Sequence, residues 1–416
     1  MHTAQTSTLI RCMAALAALA IASSSLAATA VPASGSPVRI GLDGEFSLEG
    51  STSAQAVELG IRVALDEINA GGGVLGGRPL ELTTRDNNGN PARGVANLIE
   101  LAAMPDLVAV FGGRLSPVMM ESLKPAHDLR VPLLAPWAGA SGIIEHGLQP
   151  SYAFRLAAHD TIAMPAMIER AQSIGRRKLG LILVNTGWGR SNREAAERHL
   201  AQAPGVSLVG IEWYNAGETS LLQAYSRLVT RGAQAILLVV HDREGAGLVR
   251  EVAALDARLR VPLIAHSGVI GGEFLSLAGA AALSGIDFSA FQTFNPLRAN
   301  PAKLRRVTDV AGRVGGLARP EAVVNSVGFG NAYDLTHILA RAVNLAGSTD
   351  RAKVRDALEL VRNYNGLVRT FERPFAPERH DALHQSDLFF SRFRADGELV
   401  PIARASVPTT RAAARP

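Results

Sequence analysis

The chain has 416 residues, of which 47% are hydrophobic and 19% are charged, and its formal net charge is +5. This composition is typical of a globular protein with two or three domains and excludes a largely disordered chain. The positive excess is small and no block of lysine or arginine stands out, which argues against a nucleic-acid-binding protein.

The first 30 residues have the features of a cleavable signal peptide. Arg11 precedes an apolar run over residues 13–22, which is too short to span a bilayer and is followed by small residues suited to cleavage between positions 27 and 30. The only cysteine, Cys12, lies before this run, whereas a lipoprotein cysteine would follow it. We therefore expect an exported, soluble protein that is not a lipoprotein and whose mature chain has no cysteine.

Strand-like and helix-like segments alternate from Val38 onward. Apolar residues from Val57 to Ile68 recur at helical spacing, and the pattern ends at three glycines, residues 71–73. Further helices are predicted over residues 92–103 and 116–129. The predicted strands cover residues 38–42, 79–85, 108–111 and 131–135. This alternation favours a parallel, doubly wound α/β sheet with right-handed crossovers.

The pattern restarts with a short strand over residues 152–156 and continues as a second α/β lobe. Its predicted strands cover residues 178–184, 206–213, 235–240 and 261–265, with helices between them. Helices over residues 301–314, 321–345 and 350–362 follow, then a hairpin over residues 387–402 and a flexible tail over residues 404–416. Two similar lobes with added helices imply a chain that crosses between lobes more than once, around a cleft that can close on a ligand.

Residues 108–141 contain the ends of two successive strands, each followed by a loop of small residues. Ser116 is predicted at the N-cap of the helix that joins these strands. In a parallel α/β sheet ligands bind at the carboxyl ends of the strands, and a helix N-terminus there favours an anion. This stretch is therefore predicted to form half of a small-molecule cleft.

Several motifs along the chain resemble those of one protein family. They are VRIGLDGEFSLEG from Val38, GIRVALDEINAGGGVLGGRPLELTTRDNNGNP from Gly60, VAVFGGRLSP from Val108, VPLLAPWAGAS from Val131, and NAYDLTHILARAVNLAGSTDRAKVRDAL from Asn331. With this spacing the chain is similar, over residues 38–403, to type I periplasmic solute-binding proteins of the branched-chain amino-acid branch, which serve ABC importers.

The resemblance implies two Rossmann-like lobes joined by three crossings, near residues 154–158, 290–296 and 370–374. The first lobe would comprise residues 37–156 and 292–371, and the second would comprise residues 157–291 and 372–403. It also implies a monomeric periplasmic protein without a cofactor, which captures a small carboxylate-bearing solute and delivers it to an inner-membrane permease. A ligand-sensing receptor of the same fold, which signals instead of transporting, remains an alternative.

The resemblance also assigns residues of the first lobe to the ligand. The family holds a carboxylate with hydroxyl and backbone N–H groups at positions that fall here on Leu115, Ser116, Ala138 and Gly139. Threonine is frequent in the family where this chain has Gly139, so one hydroxyl contact is missing. Arg114 is a further candidate partner for a carboxylate, because it lies on the same loop.

In the second lobe the resemblance implies an aromatic wall at Trp188, a tyrosine-like position at His241, and an acid for a ligand ammonium group at a position occupied here by Ser267, beside Gly268. A buried ammonium group needs a paired carboxylate, so serine at this position argues against an α-amino acid ligand. Asp242 or Glu244 could substitute, although we expect both to be solvated residues at a helix start.

The aromatic residues indicate the chemistry of the ligand. Trp137 and Trp188 fall on predicted cleft loops, and Phe46 falls on a third loop together with Ser47 and Ser53. Flat apolar walls with a few polar contacts suit an aromatic or otherwise apolar carboxylate. The remaining tryptophan, Trp213, lies in a predicted strand and is assigned to the core.

Motifs of hydrolases and metal sites are missing from the sequence. There is no G-x-S-x-G, G-x-x-x-x-G-K-[ST] or H-E-x-x-H motif. The turn over residues 86–90 resembles a calcium loop only faintly, because Pro91 stands where glycine is required. We therefore expect neither a hydrolytic enzyme nor a metal site, and the chain is predicted to bind its ligand without chemistry.

Overall fold

The computed structural model describes residues 35–49, 51–270, 273–315 and 327–403. The predicted signal peptide, the predicted tail over residues 404–416 and the start of the helix predicted over residues 321–345 lie outside the described residues. Within the described ranges, no helix combines the length and the apolarity that crossing a membrane would require.

The first lobe is built on a five-stranded sheet in which all neighbouring strands are parallel, in the order β2–β1–β3–β4–β5. The strands are β1 (Val38–Gly44), β2 (Leu80–Asp86), β3 (Leu107–Gly112), β4 (Leu133–Ala135) and β5 (Ala153–Arg155). The first three helices are α1 (Ser53–Ala70), α2 (Pro91–Ala102) and α3 (Ser116–Asp128). β3 is buried along its whole length, as expected for an apolar strand covered by helices on both faces.

The second lobe repeats this architecture. Its strands are β6 (Lys178–Val184), β7 (Ser207–Tyr214), β8 (Ala235–Val239), β9 (Leu263–Ala265) and β10 (Phe288–Gln292). Its helices are α4 (Asp160–Ser173), α5 (Gly187–Leu200), α6 (Leu222–Thr230), α7 (Asp242–Ala254), α8 (Phe274–Ala278) and α9 (Ala280–Ser284). One continuous core joins these helices to the sheet, because the strands are apolar on both faces.

The chain then returns to the first lobe and finally completes the second. The returning elements are α10 (Pro301–Gly315), α11 (Val327–Ala346), α12 (Arg351–Leu358), β11 (Tyr364–Asn365) and β12 (Thr370–Phe371). Of the last strands, β13 (Phe389–Phe393) pairs antiparallel with β10, and β14 (Leu399–Pro401) pairs antiparallel with β13. They complete a seven-stranded sheet in the order β14–β13–β10–β9–β8–β6–β7. The predicted fold class, two doubly wound α/β lobes, is confirmed.

The third crossing between the lobes lies later in the chain than residues 370–374, so that part of the prediction is wrong. Thr370–Phe371 pairs with β11, and Phe375 and Ala382 belong to the first-lobe core. The backbone N–H of Arg155 donates to His380, and that of Ala382 donates to Arg155. These bonds extend the edge of the first sheet, so the chain stays with the first lobe through about residue 383 before it enters β13. Residues 372–383 therefore do not belong to the second lobe.

Two local predictions also differ from the structure. Ser116 is the first residue of α3, and Leu115 occupies the N-cap. Trp213 is not a core residue: it is 37% exposed, because β7 is the last strand of its sheet and one face of that edge is left open.

Candidate functional site

A cavity of about 460 Å³ lies between the lobes, at the carboxyl ends of the strands of both sheets. From the first lobe it is lined by the predicted residues Arg114, Leu115, Ser116, Trp137 and Gly139. From the second lobe it is lined by the predicted residues Trp188, His241 and Gly268. Both halves of the predicted cleft thus face one cavity of the size that small-molecule ligands need.

Five residues assigned to the site from the sequence do not line this cavity. Phe46 packs partly buried against the first-lobe core, and Ala138 is wholly buried in it. Ser47 is exposed and hydrogen-bonded to Asp86, while Ser53 is buried at the start of α1 beside Ser51. Ser267 is buried in the turn after β9 without reaching the cavity wall, although its neighbour Gly268 does.

Ser116 forms the polar part of the first-lobe wall. Its Oγ accepts the backbone N–H of Ala140 at 3.2 Å, which ties the start of α3 to the loop after β4 and leaves the hydroxyl proton to donate to a ligand. α3 has no acidic residue in its first turn, so the partial positive charge of its N-terminus is not offset. This corner of the cavity therefore favours a ligand oxygen that carries negative charge.

Gly139 lies where the first lobe meets the crossing to the second. A Cβ atom there would be 3.1 Å from the carbonyl oxygen of Ala158 and 3.3 Å from Oδ1 of Asp160. The backbone N–H of Asp160 also donates to the carbonyl of Gly139 at 3.0 Å. A larger residue would crowd this junction, which explains why the chain has glycine here in place of a hydroxyl-bearing residue.

Trp188 is the centre of the second-lobe wall. Its ring stacks on His241 at 5.3 Å and meets the edge of His266 at 4.9 Å between ring centroids. Its Nε1 donates to Oδ1 of Asp160 at 3.2 Å, and a Cβ at Gly268 would lie only 2.6 Å from the indole. The indole is thereby held in one orientation at the cavity wall.

Four polar residues at or beneath the site were not assigned to it from the sequence. They are Asp160, Asp242, Glu244 and His266, all buried, and the last three line the cavity. The expectation that Asp242 and Glu244 are solvated is wrong, because the opposite lobe covers the start of α7. His266 follows β9 directly, so the expectation that ligands bind at the carboxyl ends of the strands could have identified it. Asp160, as the first residue of α4, gave no comparable signal.

Buried charges cross the cleft between the two lobes. Arg114, which follows β3, donates from Nη2 to Oδ1 of Asp242 at 2.9 Å, and the two side chains are only 5% and 3% exposed. Burial raises the pKa of Asp242, although Arg114 partly offsets this effect, and burial likewise raises the pKa of Glu45, which lies beneath the Arg114 backbone. Burial and the nearby Arg114 charge lower the pKa of His241 to about 3, so its imidazole is neutral.

Further contacts hold the two lobes together around the cavity. The backbone N–H of Ser141 donates to Oγ of Ser191 on α5 at 3.0 Å. At the exposed rim, Arg243 and Glu49 approach to 3.6 Å across the cleft. These contacts describe a closed arrangement of the lobes. Among the described residues, no group of three histidine, cysteine or acidic side chains is placed to hold a metal ion.

Asp43 supports the loop that carries Gly89 to the cavity wall, and it gives a testable pH dependence. It is 5% exposed and accepts hydrogen bonds from the amides of Asn87 and Asn97, and burial raises its pKa to about 6. Between about pH 4 and pH 6 the folded state therefore holds a proton that the unfolded state has released, and stability falls as pH rises. We expect Asp43→Asn to remove a decline of about 2–3 kcal/mol over this range.

The measurement is urea unfolding of wild type and Asp43→Asn at pH 4, 5, 6 and 7. The amide of Asn97 can rotate to present its oxygen to the new side chain, while Asn87 continues to donate to the remaining oxygen. Asp128→Asn, at an exposed position on α3, serves as the control and should leave the pH profile unchanged. Parallel profiles for wild type and Asp43→Asn would contradict the shifted pKa.

Comparison with known proteins gives one family match and many structural neighbours. Residues 37–398 match the family model described as periplasmic binding protein. A type 1 periplasmic binding protein from Bordetella pertussis Tohama I has a TM-score of 0.78 at 22% identity, over 88% of this chain and 100% of that one. No curated protein matches the chain.

Two other structural neighbours were solved with ligands. The branched-chain amino acid transporter substrate-binding protein LivJ from Streptococcus pneumoniae, in complex with isoleucine, has a TM-score of 0.72 at 20% identity, over 88% of this chain and 100% of that one. An ABC transporter solute-binding protein from R. palustris, in complex with 4-hydroxybenzoate, has a TM-score of 0.74 at 18% identity, over 88% of this chain and 95% of that one. At these identities the likeness concerns the fold.

Proposed function

The chain belongs to the family of type I periplasmic binding proteins, and we propose that it captures a small carboxylate-bearing solute between its lobes and delivers it to the permease of an ABC importer. Members of this family bind solutes and are not enzymes. The candidate solutes are amino-acid-like compounds, amides, and aromatic or apolar acids. The export signal, the periplasmic location and a monomeric state form part of the same proposal.

The observation that carries the proposal is the closed cavity between the lobes and the groups that face it. The apolar faces of Trp137 and Trp188 supply contact area for a flat or branched hydrocarbon body. The Ser116 hydroxyl, the start of α3 and the Arg114 guanidinium supply donors for an oxygen anion. An apolar body with one carboxylate fits this combination.

The ligands of the neighbours support the same class of solute. Isoleucine and 4-hydroxybenzoate, bound by two proteins of this fold, share a carboxylate on an apolar body but differ in the presence of an ammonium group. The common element corresponds to the donors on the first lobe of this chain. The ammonium group, which only one of the two ligands has, would be recognised by the second lobe.

Capture follows from contacts that exist only when the lobes are shut. A solute that touches Ser116 on one lobe and Trp188 on the other gains both sets of interactions only in the closed state, so it shifts the population toward closure. Closure also removes the solute from water, which strengthens its polar contacts. The closed form is the one that a permease would recognise.

A thermal-shift screen of the purified mature chain tests this proposal. The library contains amino acids, amides, aromatic and aliphatic carboxylates, and the alcohol that corresponds to each carboxylate as its matched control. A ligand present at 100 times its Kd should stabilise the protein by about 2.7 kcal/mol. We expect carboxylates to raise the melting temperature and their alcohols not to do so. Stabilisation by the alcohols alone would contradict carboxylate recognition.

A further inference from the structure

Arg114 makes the most deeply buried ionic contact between the lobes that the described residues show. Its side chain starts on the first lobe and ends at the start of α7 on the second, where Nη2 lies 2.9 Å from Oδ1 of Asp242. Its Nη1 lies 3.5 Å from the carbonyl oxygen of Gly268. The protein's own guanidinium thus takes the place beside Asp242 that a positively charged ligand group would need.

The other acids near the cavity are already engaged by other groups of the protein. Glu244 accepts the backbone N–H of Gly217 at 2.7 Å, and Glu49 is exposed at the rim opposite Arg243. Asp160 lies behind Trp188, whose indole N–H it accepts, and it does not line the cavity. An ammonium group in this cavity would therefore be buried beside the positive charge of Arg114.

The electrostatic cost of such a group is large compared with ordinary binding energies. A buried ammonium group that meets no compensating net charge loses enough hydration free energy to lower affinity by about 100-fold. The Arg114–Asp242 pair has no net charge, and only Oδ2 of Asp242 is left without a hydrogen-bond partner among the described residues, so the pair compensates little for that loss. A ligand without the ammonium group avoids this cost entirely.

The free donors in the same region suit an anion. Nε of Arg114 and Nε1 of Trp137 are buried and have no hydrogen-bond partner among the described residues. The Ser116 hydroxyl stands at the start of α3, which lacks an acid in its first turn. A guanidinium group that is held on one edge can still donate to a carboxylate from another edge.

We infer that the ligand is an organic acid without an α-ammonium group, and that the Arg114–Asp242 pair is the determinant that excludes amino acids. The inference rests on the proposed capture of a carboxylate and narrows it to one class of solute. Arg114 binds the carboxylate of the ligand, and it is also the cation that pairs with Asp242.

The test compares pairs of compounds that differ only in the α-ammonium group. The pairs are 3-phenylpropionate with phenylalanine, phenylacetate with phenylglycine, and 4-methylpentanoate with leucine. Isothermal titration of the mature wild-type protein should show at least one acid that binds about 100-fold more tightly than its amino acid. Equal or tighter binding of the amino acids would overturn the inference and leave carboxylate capture intact. No binding by any compound of the three pairs would overturn both.

Variants test whether the Arg114–Asp242 ion pair sets the preference for the acid over its amino acid. Arg114→Met removes the cation and frees Asp242, so the acid should lose affinity while its amino acid gains, and the ratio should fall by about 100-fold. Asp242→Asn keeps the arginine and should not gain amino acid binding. Arg85→Met, which removes an arginine paired with Glu100 away from the cavity, is the matched control and should keep the wild-type ratio.

If Arg114→Met does not fold, Arg114→Met combined with Asp242→Leu removes both charges and leaves no unpaired buried carboxylate. This double variant should lose preference for the acid without gaining affinity for the amino acid. A wild-type ratio in either the single or the double variant would show that another feature sets the selectivity.

Discussion

Trp188→Ala is expected to weaken binding of the best acid by about 100-fold, while Trp213→Ala leaves the affinity unchanged. Trp188 presents its indole to the cavity in an orientation fixed by Asp160, and aromatic side chains in desolvated pockets carry much of the energy of binding. Its truncation removes about 3 kcal/mol of contact with the ligand. Trp213 lies in the same lobe but on an exposed edge strand, which makes it a matched control.

The affinity of both tryptophan variants is measured by isothermal titration with the acid that gives the largest thermal shift. Trp188 also packs against the second-lobe core, so circular dichroism must show that Trp188→Ala is folded. Trp188→Phe keeps an aromatic face but loses the N–H bond to Asp160, and it should lose about 10-fold in affinity. Wild-type affinity in folded Trp188→Ala would exclude this residue from the ligand contacts.

Arg155→Met is expected to lower the free energy of unfolding by about 3 kcal/mol, because it leaves the carboxylate of Asp381, which is only 16% exposed, without its partner. Arg155 is fully buried at the first crossing, where it binds Asp381 through two nitrogens and donates to the carbonyl of Ala140 at 2.8 Å. Burial alone would raise the pKa of Asp381, but the charge and hydrogen bonds of Arg155 outweigh burial and lower it.

The sign of the pH dependence follows from that lowered pKa. The stabilisation from Asp381 is present above the carboxyl's unfolded pKa and is lost as pH falls through its folded pKa. The difference between wild type and Arg155→Met should therefore be largest near neutral pH and shrink in acid. Urea unfolding at pH 7 and at pH 3, which lies below the carboxyl's usual pKa of 3.8, followed by tryptophan fluorescence, measures it.

Two further variants complete the Arg155 experiment. Lys124→Met breaks an exposed pair with Asp128 and should cost no more than about 1 kcal/mol. Arg155→Lys keeps the charge but not the two-nitrogen contact, so its stability should fall between those of wild type and Arg155→Met. A loss of less than about 1 kcal/mol in Arg155→Met would contradict a stabilising role for the buried pair.

Most elements of the two sheets were predictable from local patterns, although β10 was not among the predicted strands. Short apolar runs such as the one in β6, and the helical stripe that ends at residue 71, depend only on spacing and on the residues that interrupt it. The third crossing was not predictable in this way. Its position depends on the pairing of Arg155 with residues far along the chain. Such a contact leaves no pattern in a short stretch of sequence.

The candidate site was predictable in part for a similar reason. Trp137, Trp188 and Ser116 follow strands whose carboxyl ends must meet at one edge, and they line the cavity. Phe46 lies on a loop of the same edge, yet its ring packs against the first-lobe core. Strand order brings a loop to the edge, whereas the side chain's direction depends on packing within the loop.

The sequence by itself determined that this protein has two α/β lobes, which strand ends face the cleft and which family it belongs to, because these features depend on periodicity and motif spacing. The tertiary structure alone decided the pairing of Arg114 with Asp242 and the burial of Asp160 and His266 beside Trp188. These residues are far apart in the chain, and Arg114 reaches Asp242 only when one lobe covers the other. The charge that faces a ligand is therefore a property of the closed molecule.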